Sequence, residues 1–347
     1  MKNNNYNLFL FLITFTRGIV ESFSLVLLYK KGFNLDDILL FLTVMYGVGI
    51  IVNYISLKFN YKIILIISSL LYGISYLYLT MMDINITSLI IFGLLLSFST
   101  YSYHCLRHYL ALSFKLDNTS LIVNIMFLGV IISTIIGTFI VSKLSILWVS
   151  IILFILSIIS LIPIYKFKIE ERNDSKKVMI SNRRIVFNVF EQFKVIFLEL
   201  QPLFLYMYIN DSILYVGGFN IVINIASLIV LVLARKLSVN KYYIYISFLL
   251  TLLFLFKISL SNMIVLFIIA VGEGILVKLY ERGSLSTLYR IGNNSVKKYL
   301  WVEEFIFFFS KTVLIFLFLI LNLKLKSILF ICLIGIVISG FIYKEDM

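Results

Sequence analysis

Residues 166–184 of this chain read KFKIEERNDSKKVMISNRR, the one long polar stretch in an otherwise apolar sequence of 347 residues. Hydrophobic residues make up 61% of the chain, and its mean hydropathy is +1.06. A soluble domain cannot bury that much apolar surface, so the composition predicts an integral membrane protein. The first apolar stretch is long enough to span a bilayer and lacks a small-residue cleavage site, so we expect a helix rather than a signal peptide.

The polar stretch divides the chain into two parts, each with the same number of predicted spanning helices. A spanning helix needs roughly 20 apolar residues. On that basis twelve segments are predicted, at 6–29, 36–57, 61–81, 86–112, 119–141, 145–165, 186–209, 212–234, 241–259, 262–281, 299–321 and 325–343. The predicted fold class is therefore an all-α membrane protein of twelve transmembrane helices in two six-helix halves. The halves are residues 1–165 and 186–347, and a basic linker at 166–185 joins them.

Lysine and arginine are divided unevenly between the two sets of short connections. The side richer in them normally faces the cytoplasm, so the linker and both termini are predicted to be cytoplasmic. Besides the linker, the richer side carries Lys2, Lys58, Lys62, Lys115, Arg235, Lys236, Lys241, Arg282, Arg290, Lys297, Lys298 and Lys344. The other side carries Lys30, Lys31, Lys143, Lys257, Lys324 and Lys326. Topology thus accounts for the net charge of +13, and no nucleic acid partner is expected. The residue usage is typical of AT-rich coding and favours a bacterial plasma membrane.

The two halves resemble each other at one connection. The link between segments 2 and 3 reads SLKFNYK at 56–62, and the link between segments 8 and 9 reads ARKLSVNK at 234–241. Both links are short and basic, and they occupy the same place in their halves. Two repeated halves with a binding site at their interface are a recurring plan of secondary transporters.

Several stretches resemble the major facilitator superfamily, and the resemblance extends over essentially the whole chain. They are YKKGFNLDD at 29–37, the glycines Gly129 and Gly137, and Gly272-Glu273-Gly274 through Arg290. The signature loop of the family between helices 2 and 3 is degenerate here, since only Lys58 and Lys62 remain of its charged residues. The resemblance implies a compact secondary transporter, and export is the direction that it suggests.

Charged residues inside the predicted segments are rare and fall in the first, fourth, seventh, tenth and eleventh. An ionisable group in hydrocarbon costs about 2.5–3.5 kcal/mol or more, so it normally faces a polar interior. The candidate substrate and proton pathway comprises Arg17, Glu21, Ser24, His104, Arg107, Gln192, Glu199 and Glu273. Glu304 and Lys311, seven residues apart on one helix face, are candidates for salt bridges to other helices that open and close as a gate.

Arg17 and Glu21 are four residues apart and share one face of a continuous helix with Thr14 and Ser24. One interpretation is a cavity pair, in which Arg17 contacts an anionic group and Glu21 carries a proton. The other is a structural ion pair between the two side chains.

Glu21, Glu199 and Glu273 are candidates for proton coupling, because a low-dielectric interior favours the neutral form of a carboxyl group. The alternative for each is a permanent cationic partner. That partner would be Arg17 for Glu21, and Lys194 or Lys278 for the other two glutamates.

The fourth segment carries a polar stripe of Ser97, Tyr101, His104 and His108, with Arg107 beside it. Two histidines four residues apart could bind a metal ion. However, no carboxylate lies nearby in the sequence and Arg107 would repel a cation, so neither a metal nor a cofactor is predicted. A pH-sensitive or anion-contacting patch is one alternative, and an interfacial cluster that reaches lipid headgroups is another.

Enzyme activity is not predicted. The sequence has no Walker lysine motif, nucleophile elbow or HExxH motif. Adjacent Glu303 and Glu304 resemble the glutamate pair of CAAX-type membrane proteases, but Phe308 stands where those enzymes need arginine, and no histidine follows.

The sequence therefore predicts a proton-coupled secondary transporter with the bilayer, a solute and protons as its partners. The basic residues of the first half and the acidic residues of the second suit an amphipathic or zwitterionic solute, such as a peptide or drug-like compound. One alternative is a non-transporting membrane protein of the same fold that acts as an immunity or signalling partner. Another is an enzyme acting on lipid-linked sugars, for which the loops are too short.

Overall fold

The structure is a computed structural model that describes residues 4–113, 119–166, 180–233, 242–292 and 296–343. Within these ranges every regular element is helical. The α-helices are α1 (Asn4–Gly18), α2 (Ser24–Lys31), α3 (Leu35–Lys58), α4 (Tyr61–Met81), α5 (Ile86–Ser113), α6 (Thr119–Lys143), α7 (Ile146–Leu161), α8 (Asn182–Tyr208), α9 (Ile213–Leu233), α10 (Tyr243–Ser259), α11 (Met263–Gly292), α12 (Val296–Ile320) and α13 (Leu325–Ile342). Short 3₁₀ helices cover Glu21–Phe23 and Ile162–Lys166.

The predicted class of all-helical membrane protein is confirmed. Among the described residues, nine helices are long and apolar enough to cross a bilayer when α1 and α2 are counted as one. Of the others, α10 is shorter, while α8 and α12 carry several charges. The outer faces expose large apolar side chains such as Ile264, Ile334 and Phe341, which lipid accommodates and water does not. The count of twelve spans stays a prediction.

Two predicted helix boundaries and one predicted residue position are wrong, because a helix can continue through polar residues after its apolar run has ended. Helix α11 reaches Gly292, so Arg282 and Arg290 lie on a helix rather than in a loop. Helix α8 begins at Asn182, which places Arg184 on the helix instead of in the linker. Lys257, predicted to lie in a connection, occupies the last turn of α10 and is fully buried. Most of the predicted linker (167–179) lies outside the described residues, as do Lys2, Lys115, Arg235, Lys236, Lys241 and Lys344.

The first predicted helix is also wrong in detail, because it is broken between Gly18 and Ser24. The break frees backbone carbonyls, which must find partners inside a membrane. The Tyr72 hydroxyl donates to the carbonyl of Arg17 (3.0 Å), and the Ser24 hydroxyl donates to that of Val20 (3.2 Å). Broken helices in transporters are found where the backbone lines a cavity or a binding site.

Helix packing follows the same plan in the two parts of the chain, which we call the amino-terminal group (α1–α7) and the carboxy-terminal group (α8–α13). In the first group α1 packs on α6 and α7, α3 on α5, and α4 on α5 and α7. In the second group α8 packs on α12 and α13, α9 on α11, and α10 on α11 and α13. Each of these contacts in the first group has a counterpart in the second. The corresponding helices are α1 and α8, α3 and α9, α4 and α10, α5 and α11, α6 and α12, and α7 and α13.

The two groups meet along matched helix pairs. Helix α3 packs against α12, and α6 packs against α9, with further contacts of α12 with α5 and of α2 with α8. Arg183 Nε donates to the carbonyl of Ile342 (2.7 Å), so α8 begins where α13 ends. We call this end of the bundle, where α1 also begins, the terminal end, and the opposite end the far end.

Candidate functional site

A carboxylate lies between the two groups near the middle of the bundle. Tyr46 on α3 donates a hydrogen bond to Glu199 on α8. The Lys311 ammonium on α12 lies 3.3 Å from the same carboxylate. The Lys311 side chain is 3% exposed and that of Glu199 is 33% exposed. The cation is therefore enclosed, while the carboxylate remains accessible from open space.

Aromatic rings enclose the lysine of this cluster. The Lys311 ammonium lies 4.3 Å from the centre of the Tyr46 ring and 4.4 Å from that of Phe307, within the range of cation–π attraction. Tyr101 on α5 packs its ring 4.4 Å from that of Phe308. Gly49 makes this possible, because a Cβ there would lie 2.8 Å from the Tyr101 ring. The site thus offers a caged cation, a carboxylate and aromatic walls.

A second cluster joins the groups closer to the terminal end. His104 Nδ1 on α5 lies 3.6 Å from Glu304 Oε1 on α12, and the rings of His104 and His108 are 4.8 Å apart. Glu304 and Lys311, the candidates for bridges between helices, each lie against a residue of another helix, His104 on α5 and Glu199 on α8. Seven residues of helix rise separate them by about 10.5 Å, so each reaches a different neighbour. No carboxylate lies near the two histidines in the sequence. In the structure, Glu304 of the carboxy-terminal group supplies one.

Arg17 is buried within the amino-terminal group. It donates to the Ser68 hydroxyl (3.0 Å) and to the carbonyl of Ser99 (2.7 Å). Its guanidinium lies between the rings of Tyr72 and Tyr103, at 4.8 and 4.5 Å from their centres. Two of its nitrogens, Nε and Nη1, have no hydrogen-bond partner.

The ion pair of Arg17 with Glu21, one of the two interpretations of the sequence, is absent, because the helix break removes the regular spacing of four residues on which it depended. Glu21 sits on the 3₁₀ turn between α1 and α2, its side chain is exposed, and it has no ion pair with another described residue. The turn contacts α8 and α9.

The other polar residues of the predicted stripes have local partners. Thr14 and Ser24 hydrogen-bond the hydroxyls of Tyr103 (3.1 Å) and Tyr76 (2.6 Å), respectively. Gln192 is fully buried on α8; its Nε2 donates to the carbonyl of Asn188 (2.7 Å), and its Oε1 has no partner. Arg107 on α5 is half-buried, with its guanidinium 6.0 Å from the centre of the Tyr103 ring. Ser97 donates to the carbonyl of Met45 on α3 (2.7 Å).

Glu273 has a permanent partner that sequence reasoning missed. It forms a fully buried salt bridge and hydrogen bond with Lys257 on α10, inside the carboxy-terminal group. The predicted alternatives, Lys194 and Lys278, instead pair with neighbours on their own helices. The two glycines beside Glu273 do allow close approach, since a Cβ at Gly274 would lie 2.3 Å from a backbone carbonyl on α9. The structure therefore does not bring Glu273 together with Glu199.

Arg184 and Glu303 form a second buried pair that the sequence analysis did not predict. Arg184 Nε lies 3.0 Å from Glu303 Oε1, which also accepts a hydrogen bond from Tyr299 (2.5 Å). Asn188 donates to the other carboxylate oxygen. This network joins α8 to α12 at the terminal end. The sequence carries no signal for this pair, since Arg184 falls in the predicted linker and Glu303 in the eleventh predicted segment.

The groups also contact each other toward the far end. Asn224 Nδ2 on α9 donates to Thr134 Oγ1 on α6 (3.0 Å), and a Cβ at Gly217 would lie 2.3 Å from the Thr138 side chain. The rings of Tyr29 on α2 and Tyr206 on α8 meet edge to face at 6.2 Å. A cavity of about 390 Å³ opens beside them, and its lining includes Leu27, Lys30, Lys31, Ser145, Val149 and Ile213.

Two solved structures resemble this chain along its whole length. No protein-family model and no curated protein matches its sequence. The human organic anion transporter MFSD10 (TETRAN) superposes with a TM-score of 0.68 at 10% identity, with 99% of each chain covered. A mutant of the nucleoside transporter NupG superposes with a TM-score of 0.71 at 12% identity, again with 99% of each chain covered. Similarity at this level of identity establishes the fold, and the fold that the sequence resemblance implied is thereby confirmed.

Proposed function

We propose that this chain, which has the fold of the major facilitator transporters, is itself a secondary transporter that works by alternating access. The observation that carries the proposal is the cluster of Tyr46, Glu199 and Lys311 between the two groups. Burying charge in a membrane protein is costly, and such residues normally serve a substrate or ion pathway. Here the carboxylate is open to a solute, and one of its two partners, Tyr46 on α3, belongs to the opposite group of helices, which must move relative to α8.

The moving bodies are two six-helix halves, residues 1–165 and 186–347. The recurrence of every major packing contact between the amino-terminal and carboxy-terminal groups supports this division. The halves rock about two contacts, α3 with α12 and α6 with α9. Replacing each helix by its counterpart in the other group turns the first contact into the second. Rocking of one repeat against another around a central site is the usual route to alternating access.

Proton coupling is the second part of the proposal, and Glu21 is its carrier. Of the three glutamates considered, Glu273 is neutralised by Lys257 and Glu199 is paired with Lys311. Glu21 is exposed on the turn that interrupts the first segment, beside α8 and α9, so it can exchange a proton with water as the halves move.

The solute is a small amphipathic or zwitterionic molecule, such as a peptide or drug-like compound. The aromatic walls of Tyr46, Tyr101 and Phe307 suit an apolar or planar body, while Lys311 and Glu199 suit charged groups at its ends. The two similar structures belong to transporters of an organic anion and of nucleosides, and both solute classes combine apolar and polar parts. Export is proposed from the family resemblance alone.

The terminal end is proposed to face the cytoplasm of a bacterial cell, because the connections on that side are richer in lysine and arginine. Reporter fusions test this orientation directly. A cytoplasmic reporter should be active after Tyr343 and inactive after Lys324, and a periplasmic reporter should behave in the opposite way. The reverse pattern would contradict the proposed orientation.

Alternating access is tested by paired cysteines at the two ends of the bundle. Tyr54 and Trp301 have ring contact across the groups at the terminal end, and Tyr29 and Tyr206 have it at the far end (both 6.2 Å). Each pair is replaced by cysteines in a Cys105→Ala/Cys332→Ala background, where the two native thiols are free and buried. A short thiol cross-linker is then applied to vesicles with and without candidate solutes, at several pH values.

A transporter should give cross-linking yields at the two ends that change in opposite directions when solute or pH changes. The control pair is Tyr243 and Tyr343, whose rings stack at 3.8 Å within the carboxy-terminal group and should cross-link equally under all conditions. Yields at both ends that never change would contradict transport and favour the static immunity or signalling protein.

A further inference from the structure

His104, His108 and Glu304 form a compact set of ligand groups at the contact between the two groups of helices. One ligand atom from each residue can be chosen so that all three lie within 4.8 Å of one another. His104 and His108 are on α5, and Glu304 is on α12. No step of the proposed transport cycle uses them as a set.

Two buried atoms of this set have unmet bonding capacity. His104 Nδ1 and Glu304 Oε2 each lack a hydrogen-bond partner. The 3.6 Å between His104 Nδ1 and Glu304 Oε1 is longer than a normal hydrogen bond. Buried polar atoms are nearly always satisfied, so atoms left open in a cluster call for an explanation such as an ion.

We propose that His104, His108 and Glu304 bind a divalent transition metal ion such as Zn²⁺, and that the bound ion ties the two halves together near the terminal end. Zinc binds histidine nitrogens at about 2.0–2.1 Å and carboxylate oxygens at about 2.0–2.2 Å. Two ligands on one tetrahedral ion are therefore about 3.4 Å apart. The distance between His104 and Glu304 already fits, and a ligand atom of His108 lies within 4.8 Å of both.

The set of donors also fits this ion chemically. Two histidines and one glutamate are a known zinc ligand set that leaves the fourth position for water. The side chain of His104 is 31% exposed, so an ion can reach the site. Cys105 is not a ligand, because its sulfur faces the carbonyl of Asn53. Arg107 and Lys311 oppose a cation, but Lys311 is paired with Glu199 and the Arg107 guanidinium lies over Tyr103.

An ion at this position would regulate the transporter rather than take part in transport itself. Glu304 belongs to one half and the histidines to the other, so metal binding stabilises only the arrangement in which α5 and α12 stay in contact. A ligand that binds one of two conformations shifts the population toward it. Zinc should therefore hold the terminal end closed, and this regulatory role rests on the proposed function, whereas binding itself does not.

Binding is tested with Co²⁺, which reports tetrahedral coordination through its visible absorption bands. The protein is purified with a tag free of histidine, since His104 and His108 are its only histidines. Wild type should show the bands, and Zn²⁺ should displace them. His104→Gln, His108→Gln and Glu304→Gln should each weaken Zn²⁺ binding by more than about 100-fold, which exceeds the cost of losing a residue that only orients a metal ligand. Glu281→Gln, a glutamate outside the cluster, is the matched control and should bind normally.

Absence of the bands in wild type, or bands that survive all three ligand substitutions, would overturn the metal site. Size-exclusion profiles verify that each variant is folded. His104→Gln is the variant that packing should tolerate best, because the side chain of His104 is partly exposed. In the Tyr54→Cys/Trp301→Cys protein, Zn²⁺ should raise the cross-linking yield, and His104→Gln should abolish that increase. Binding without any change in cross-linking would overturn the bridging role while leaving the ion site in place. Failure of alternating access alone would leave the Co²⁺ result unaffected.

Discussion

Glu199 on α8 accepts a hydrogen bond from Tyr46 on α3, so one carboxylate connects the two groups of helices at the middle of the bundle. Hydrogen bonds to ionised acceptors contribute about 1.5–3 kcal/mol. Two conformations of a switching protein commonly differ by only a few kcal/mol. This single contact is therefore strong enough to influence which end of the protein is closed.

Tyr46→Phe should remove the hydrogen bond between α3 and α8, and so weaken the contact between the two groups, without removing the aromatic ring that covers Lys311. Loss of about 1.5–3 kcal/mol corresponds to a change of roughly 10- to 100-fold in the conformational equilibrium. We expect a lower cross-linking yield between cysteines at positions 54 and 301. The control is Tyr78→Phe on α4, a half-buried tyrosine whose hydroxyl has no hydrogen bond to other described residues. An equal loss in both variants would contradict a specific role for Tyr46.

Lys257 and Glu273 should behave as a structural pair. Lys257→Met or Glu273→Gln alone leaves a buried charge unpaired and should destabilise the protein by about 3–5 kcal/mol. The double variant removes both charges and should recover most of that stability, because well-packed neutral side chains avoid the desolvation penalty. Thermal unfolding of the purified protein in detergent measures the three variants against wild type.

The control for these single and double variants is the pair of Lys278 and Glu281, which is more exposed than the pair of Lys257 and Glu273. Neutralising both of its side chains should change stability by only about 0–1 kcal/mol. If the Lys257→Met/Glu273→Gln double variant were no more stable than the single variants, the structural role would be refuted. If the double variant also lost the pH dependence of transport, Glu273 would have to be reconsidered as a proton carrier.

Gly137 is required for the break in the first segment. A Cβ at this position of α6 would lie 2.3 Å from the carbonyl oxygen of Ile19, a backbone atom that cannot move aside cheaply. Gly137→Ala should therefore destabilise the protein by about 1–3 kcal/mol through overpacking. Gly218→Ala on α9 is the matched control, since the nearest atom to its Cβ would be 3.8 Å away. It should be neutral or stabilising by up to about 1 kcal/mol. Equal melting temperatures for the two variants would contradict this account.

The sequence was sufficient to predict the class of protein and most of its helices. Long apolar runs between short polar links determine where spanning helices form, and this signal does not depend on tertiary contacts. It was weakest where helices carry charge or project from the membrane, as in α8 and α11. It also missed the break after Gly18, since one glycine costs a helix only about 1 kcal/mol and does not by itself end it.

The partners of the buried charges could not be predicted for a physical reason. Spacing along one helix identifies only neighbours three or four residues apart. In the structure Glu304 is paired with His104 and Glu199 with Tyr46, and these contacts depend on how different helices face each other. The alternative pair of Arg17 with Glu21 is absent because it assumed a partner on the same continuous helix. Only a three-dimensional arrangement reveals the ligand set at the histidines.

Glu21→Gln should remove the pH dependence of transport. The change keeps the size of the side chain and removes its only titrating group, at a position that is exposed and has no ion pair with another described residue. Uptake into proteoliposomes across an imposed pH gradient measures the effect, with a solute selected by thermal stabilisation of the protein. Exchange of labelled for unlabelled solute should persist, because exchange requires no net release of protons. This combination separates loss of coupling from loss of folding or of solute binding.

The matched control is Glu281→Gln, which neutralises a glutamate that is paired on its own helix and should leave pH dependence intact. A change at Glu199 is less informative, because it also removes the acceptor of Tyr46 and the partner of Lys311. If pH dependence were unchanged both in Glu21→Gln and in Lys257→Met/Glu273→Gln, neither carboxylate could be the coupling group. Transport would then have to be driven by another ion or by the solute gradient alone.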